Sequence, residues 1–397
     1  TALFAELDEI CPPRTVLATN TSSLPVTRVA TATHRPDRVV GMHFFNPAPV
    51  MRLVEVVHTV RTDGEVTAAV EALARTCGKT PVVVADRAGF VANALLFGYL
   101  NAAARAAETG QAAVADIDAA IVAACAVPMG PLTLMDLIGL DVCLDVMETM
   151  FDETRDQRYA PAPLLRRLVM AGDLGRKTGR GYYRYDGGEA TASLSPPSFT
   201  GGTSRGAANV VVIDGGSRAG TAELLARAAK TAKPDSVFAV ATTDEAPVAA
   251  LLAGFGRKQD VVGMHIPKAP RDGVVEVIAT SLSNPDAVAT VIDHLAGSGL
   301  TPIACRDRPG YIVDYLVLPH LGDAVRMVDD GYATQEDVDT AMRLGCGYAD
   351  GPFAMLAAVG ADDVRSVLSH LAAATHLPSL APSPLLDELA SLGPSHT

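Results

Sequence analysis

The sequence lacks the marks of several protein classes. It has no run of about 18 apolar residues free of charge, which argues against a membrane span. No basic segment leads into an apolar core at the N-terminus, which argues against a secretory leader. Its six cysteines (Cys11, Cys77, Cys125, Cys143, Cys305 and Cys346) form no CxxC pair. They read as buried free thiols of a reducing cytoplasm, not as a disulfide framework or a zinc site. Positive charge is in deficit, 32 basic residues against 45 acidic for a net of -13. That balance disfavours nonspecific binding to nucleic acid or to an anionic membrane, although a local positive pocket could still hold an anionic small ligand. What is present is apolar: 49% of the 397 residues, with 19% charged. This excludes a disordered chain and supplies several cores, enough for two to four domains of roughly 100–200 residues each. The first residue is Thr1, not Met, as in a fragment of a longer chain.

An internal repeat organises the rest. VVGMHFFNPAPVMRLVEVV (39–57) returns as VVGMHIPKAPRDGVVEVI (261–278), and DRAGFVANALLFGYLNAA (86–103) as DRPGYIVDYLVLPHLGDA (307–324). Asp116-Ile117-Asp118 is echoed by Asp337-Val338-Asp339, Gly130-Pro131-Leu132 by Gly351-Pro352-Phe353, and Pro163-Leu164-Leu165 by Pro384-Leu385-Leu386. The offset is 222 residues at His43/His265 and 221 at Asp86/Asp307, so one deletion separates the copies. Between them, 187–208 is rich in Gly, Ser, Thr and Pro and reads as a flexible linker.

Within one copy the pattern changes midway. Up to residue 86, short β-branched runs (Thr15–Ala18, Val39–His43, Leu53–Val57, Pro81–Ala85) alternate in part with helical stretches at 2–10 and 64–77, which predicts a parallel sheet. From Gly89 onward the reading is mostly helix: Phe90–Thr109 ending at Gly110, Asp116–Ala124, Pro131–Phe151 and Pro163–Ala171. The expected organisation is α/β plus all-α. Its segments are a partial α/β layer (1–86), a helical domain (87–186), a linker (187–208), a degenerate partial layer (209–306) and a second helical domain (307–397).

The polar residues that could do chemistry follow the strands. Asn20-Thr21-Ser22-Ser23 comes after Thr15–Ala18, His43 ends Val39–Met42, Glu55 lies on the next run and Asn93 opens the first long helix. Open α/β sheets place their sites beyond the carboxyl ends of strands. A histidine there, with a carboxylate on the neighbouring strand, suits a general base oriented by an acid. From the residues alone, a buried structural His43 beside a surface Glu55 is an equal reading. Gly215–Gly220 after Val210–Ile213 suggests a phosphate loop, but Ser217 breaks G-x-G-x-x-G, and the repeat puts that run on a later strand of the nucleotide layer.

Five segments in order, ATNTSSL (18–24), GMHFFNPAPVMRLVEVV (41–57), D-x-x-GFVAN (86–93), PMGPLTLMDLIGLD (128–141) and GRKTGRGYYRYD (175–186), closely resemble the L-3-hydroxyacyl-CoA dehydrogenase family. The resemblance spans 1–186 almost without gaps, and a weaker one covers 209–393. It implies a Rossmann-like NAD-binding layer followed by a helical substrate and dimerisation domain, the pair repeated in degenerate form. It implies oxidation of the 3-hydroxyl of an acyl-CoA such as 3-hydroxybutyryl-CoA, with NAD as hydride acceptor, in fatty-acid β-oxidation or related catabolism. His43 matches the family's general base and Glu55 its partner carboxylate. Ser22 matches the serine that contacts the substrate oxygen and the nicotinamide, and Asn93 the asparagine that holds the reacting carbonyl. Asn46 matches a residue near cofactor and thioester arm, and Lys177 a lysine reaching toward NAD. Two-copy members resembling this chain act on 3-hydroxyadipyl-CoA, so that substrate stays open, as does a non-catalytic scaffold.

The family's G-x-G-x-x-G fingerprint lies well before the Asn-Thr-Ser-Ser segment, and none precedes that segment here. The expectation is that roughly the first hundred residues of the family domain lie upstream of Thr1, and that this chain alone binds NAD poorly and is weakly active or inactive. Copy two keeps His265 and Glu276 but has Asp244 for Ser22, Asp314 for Asn93 and Lys268 for Asn46, and so reads as a structural partner. Single-copy members dimerise through the helical domain. Homo-oligomer formation, or an intrachain pseudo-dimer of the two helical domains, is therefore expected.

Overall fold

The computed structural model describes the chain apart from residues 23, 188, 207–208, 215–216, 243–246, 269–270, 272 and 394–397. The Asp244 position and Gly215–Gly216 of the glycine-rich turn therefore lie outside the described residues. Copy one opens with α1 (Ala2–Ile10), β1 (Leu17–Thr19), α2 (Val26–Ala30), β2 (Val39–Phe44), β3 (Leu53–His58), α3 (Gly64–Thr76) and β4 (Thr80–Ala85). Its helical part is α4 (Ala92–Glu108), α5 (Val114–Cys125), α6 (Pro131–Ile138), α7 (Leu140–Thr154) and α8 (Pro163–Met170), followed by the hairpin β5 (Tyr183–Asp186) and β6 (Glu189–Ala192). Copy two runs β7 (Val210–Ile213), α9 (Arg218–Ala228), β8 (Val237–Ala241), β9 (Val261–His265), β10 (Val274–Ala279), α10 (Pro285–Gly297) and β11 (Thr301–Arg306). It ends in α11 (Val313–Asp329), α12 (Gln335–Cys346), α13 (Pro352–Val359), α14 (Ala361–Thr375) and α15 (Pro384–Leu392).

The first sheet has the order β1-β2-β3-β4 and the second β11-β10-β9-β8-β7. The sheets are mixed, not wholly parallel as the strand–helix alternation predicts. β1–β2 and β3–β4 are parallel, while β2–β3 is antiparallel, and β9–β10 repeats the reversal. The cause is the short connection from Phe44 to Leu53, since a parallel crossover needs a dozen or more residues. The strands are almost continuously buried, as expected where helices cover both faces.

Two further expectations change. The span Pro131–Phe151 is two helices, broken at Gly139, whose φ of 104° no other residue type adopts readily. The run Val210–Ile213 is the first strand of the second sheet in chain order, at its edge, not a later one. Within the segment 187–208, several described residues make fixed contacts that its composition does not announce. β6 pairs with β5, and Phe199 is buried in the second sheet's core beneath the Arg306 guanidinium. The Thr203 amide donates to Asp286 Oδ1 and the Arg205 amide to Thr290 Oγ1, both at 2.8 Å. Small polar composition conceals one large apolar anchor and several backbone donors.

The copies cross over. α4 and α11 pack on each other, and one apolar core runs through both helical domains. α5 of copy one lies against β10 and β11 of copy two, while α12 of copy two lies against β3 and β4 of copy one. Each helical domain thus closes the other copy's sheet. No helix among the described residues is long and apolar enough to cross a membrane. The six cysteines are free, but only Cys143 and Cys305 are buried: Cys11, Cys125 and Cys346 are partly covered and Cys77, after the end of α3, is exposed.

Candidate active site

The antiparallel register brings the chemistry together. His43 on β2 stands directly opposite Glu55 on β3. His43 is 3% exposed and Glu55 fully buried. Glu55 Oε2 lies 2.7 Å from His43 Nδ1. Its other oxygen, Oε1, accepts the amides of Val91 and Ala92, both at 3.0 Å, at the start of α4. A carboxylate at a helix N-terminus meets free amides and the positive end of the dipole. An ionised carboxylate only accepts, so Nδ1 carries the hydrogen and Nε2 keeps its lone pair. Nε2 faces Ser22 Oγ at 3.0 Å.

The Ser22 loop is held from two sides. Asn20 Oδ1 accepts the Phe44 amide at 2.8 Å, tying the end of β1 to the end of β2. Asp86, after β4, accepts the amides of Val26 and Thr27 at 3.0 and 2.6 Å and so caps α2. Asn93 on the first turn of α4 donates to the Ser22 carbonyl at 3.4 Å. Two phenyl rings hold the imidazole: Phe45, its centroid 4.7 Å away, and Phe90 at 5.5 Å. Phe90 takes a left-handed backbone, φ 49°, so that its ring turns under His43 while the next two amides point at Glu55.

Of the expected residues, Ser22, His43, Glu55 and Asn93 form one network. Asn46 is exposed beyond β2. Lys177 is engaged by Asp141, its Nζ 2.6 Å from Oδ2, and this hydrogen bond holds the Asp141 carboxyl below the usual range. Phe45, Phe90 and the two amide donors escape the sequence reading. The phenylalanines are visible in HFFNP and GFVAN, but their orientation depends on backbone angles that no motif displays. Ser22 Oγ lies on the imidazole Nε2, and the Asn93 amide lies on the Ser22 carbonyl beside it. That donor and acceptor set fits the nicotinamide end of a dinucleotide with a hydroxyl substrate beside it.

Copy two preserves the dyad and alters what faces it. His265 Nδ1 is 2.8 Å from Glu276 Oε2, and Glu276 Oε1 accepts the Ile312 and Val313 amides. The Tyr311 ring, at φ 47°, replaces Phe90. The buried Asp314 carboxylate approaches His265 Nε2 to 3.6 Å. A carboxylate there is a second anion beside the imidazole, where copy one offers a hydroxyl.

Family comparison agrees with the repeat. The model of the 3-hydroxyacyl-CoA dehydrogenase NAD-binding domain matches 1–87 and 221–308, and that of the C-terminal domain 89–185 and 310–396. The first of these indicates NAD as cofactor. A 3-hydroxyadipyl-CoA dehydrogenase of Escherichia coli (strain K12) is 35% identical over 93% of this chain and 73% of its own length. A probable 3-hydroxybutyryl-CoA dehydrogenase of Bacillus subtilis (strain 168) is 50% identical over 47% of this chain. The chain spans 65% of the length of that shorter relative. The crystal structure of a 3-hydroxybutyryl-CoA dehydrogenase from Escherichia coli K12 superposes with a TM-score of 0.79 at 32% identity, covering 100% of this chain and 79% of that one. Two copies of both domain models, a relative aligned over 93% of the chain and a paired histidine and glutamate in each sheet lead to one conclusion: the chain belongs to the 3-hydroxyacyl-CoA dehydrogenase family.

Proposed function

We propose that copy one oxidises an (S)-3-hydroxyacyl-CoA to the 3-oxoacyl-CoA with NAD, 3-hydroxybutyryl-CoA being the substrate, in cytoplasmic catabolism of fatty acids or related acyl-CoAs. The observation that carries the reading is the chain of contacts from Glu55 through His43 to Ser22. Bound NAD supplies the acceptor for the hydride leaving C3 of the substrate. His43 Nε2 takes the proton of the 3-hydroxyl, and Glu55 stabilises the imidazolium so formed. The Ser22 hydroxyl and the Asn93 amide hold the oxygen as it becomes a carbonyl, and Ser22 also borders the nicotinamide. Asn46 and Lys177 are assigned to cofactor and thioester arm on the family resemblance alone. Copy two carries the same dyad beneath a carboxylate and is assigned no turnover.

A second reading keeps the chemistry and changes the substrate. One relative that aligns with both copies is named for 3-hydroxyadipyl-CoA, and a solved structure that covers both is named for 3-hydroxybutyryl-CoA. A second carboxylate on the substrate would need a cation at its far end. The candidates are Arg52, which is exposed, and Arg87, which is drawn to Asp330 and over the Tyr332 ring between the copies. The intact Ser22, His43, Glu55 and Asn93 set in copy one weighs against a scaffold. The test is acetoacetyl-CoA-dependent oxidation of NADH by the full protein and by its His43→Ala variant, repeated with 3-oxoadipyl-CoA. The expected result is a loss of about 10²–10⁴-fold in kcat with folding retained. A variant as active as the parent would remove His43 from the reaction.

A further inference from the structure

We propose that α12, a helix of copy two, is a positioning element of the copy-one site, acting through Gly345 on the Phe45 ring and through that ring on His43. The inference rests on the general-base reading of His43.

The core beneath the first sheet belongs to both copies. Leu53, Val82, Val84, Phe90 and Leu95 pack with Val338, Ala341 and Met342. The Tyr332 hydroxyl donates to the Ala85 carbonyl at 2.8 Å and fixes the approach to α12 against the end of β4. Near the end of α12 the helix backbone itself reaches the site. A Cβ placed on Gly345 would lie 2.6 Å from Leu53 Cδ2 and 3.2 Å from Phe45 Cε1. Only a residue without a side chain lets the ring and the helix meet there. The same Phe45 ring rests on the His43 imidazole.

The mirrored contact shows that the match is specific. The repeat offset puts Ala124 of α5 where α12 has Gly345, and Pro267 of copy two where copy one has Phe45. Copy two has no ring at that position, and its partner helix carries a methyl group. The glycine therefore accompanies the phenylalanine on the side that keeps the catalytic set. His43 is thus held between Phe90, placed by its own left-handed backbone, and Phe45, whose ring meets the α12 backbone of the other copy at Gly345. The angle of the imidazole decides whether Nε2 meets a hydroxyl at the Ser22 position, and a misplacement of well under an ångström is costly to proton transfer.

The experiment is a double-substitution cycle in the full protein with Gly345→Val and Phe45→Leu. It is read by the NMR titration of the His43 imidazole and by kcat and KM. Gly345→Val is expected to shift the His43 titration midpoint and to lower kcat about tenfold or more while changing KM less. In the Phe45→Leu background the same substitution is expected to alter either readout by less than about twofold, because the ring that transmits it is gone. A wild-type titration and kcat in Gly345→Val, or equal effects of Gly345→Val in both backgrounds, would overturn the proposal. Should Gly345→Val fail to fold, Gly345→Ala asks the same question, since the Leu53 δ-methyl can turn aside and the ring must still give by a few tenths of an ångström. Absence of turnover in the wild-type protein would count against the dehydrogenase reading, and the titration arm would still decide the role of α12.

Discussion

Glu55 meets three donors with two oxygens, which a side-chain amide cannot do. One oxygen takes the amides of Val91 and Ala92 and the other takes His43 Nδ1. An amide in its place has one acceptor. Glu55→Gln would keep its oxygen on the helix amides and turn its NH₂ toward Nδ1, which would move the imidazole hydrogen to Nε2 and leave no base for a hydroxyl. The expected loss in kcat is about 10²–10⁴-fold, against a stability cost of roughly 1–3 kcal/mol. Steady-state kinetics beside urea unfolding separates the two, and a variant that lost stability without rate would refute the orienting role. Ser22, His43, Glu55 and Asn93 were legible because strand ends and motif order mark them. Phe45 and Phe90 were not legible as partners of His43, since a left-handed Phe90 and a ring resting on Gly345 are products of tertiary packing.

At the scale of elements, the repeated glycine before a proline governs how two helices meet. Gly130 precedes α6 and touches α5 so closely that a Cβ there would lie 2.4 Å from the Asp118 backbone Cα. Asp118 uses this approach: its carboxylate accepts the Leu132 and Thr133 amides at 2.8 and 2.9 Å and caps α6. Burial pushes that carboxyl up despite these hydrogen bonds. Copy two repeats the device with Gly351 against Asp339, which accepts the Phe353 amide. Gly130→Ala must part the two helices and stretch the cap, because backbone cannot rotate away as a side-chain tip can. The expected cost is about 2–3 kcal/mol in chemical denaturation, while Gly64→Ala, which meets nothing, should be near neutral or stabilising. Equal effects at the two glycines would discard the steric account. Helix positions were readable from the sequence to within a few residues, because apolar spacing, Pro at the first turn and Gly at the end are local signals. The β2–β3 reversal was readable too, from the short stretch between Phe44 and Leu53, had loop length been weighed above strand–helix alternation. The burial of Phe199 within 187–208 was not, since it depends on a pocket that another part of the chain builds.

At the scale of the molecule, the crossed packing makes the contact between the helical domains the support of both sheets. Arg158 of copy one pairs with Asp323 of copy two, and Arg87 with Asp330, around a cleft of about 490 Å³. Deeper in the same contact, His320 of α11 is buried between the rings of Tyr99 and Tyr348, 5.5 and 5.7 Å away. Burial lowers its pKa to about 4. The folded state therefore keeps His320 neutral in a range where the unfolded chain protonates it. Stability from this source is intact above the unfolded value near 6.5 and falls as pH drops toward about 4, where the loss levels off. The full loss is roughly 3 kcal/mol. The other ionisable groups packed here are Cys125, Arg105, Arg158, Tyr315 and Asp323, together with Tyr99 and Tyr348. Burial pushes the Asp323 carboxyl up, a trend of opposite sign with pH, but it is present in any His320 variant and drops out of a difference. His320→Phe, which keeps a ring between the tyrosines, should therefore unfold with a shallower dependence on pH than the parent between about 6.5 and 4. Urea midpoints across that range measure it. Parallel curves for the two proteins would mean that His320 contributes nothing to the acid sensitivity of the contact that joins the two copies, which would then rest on Asp323 and its neighbours.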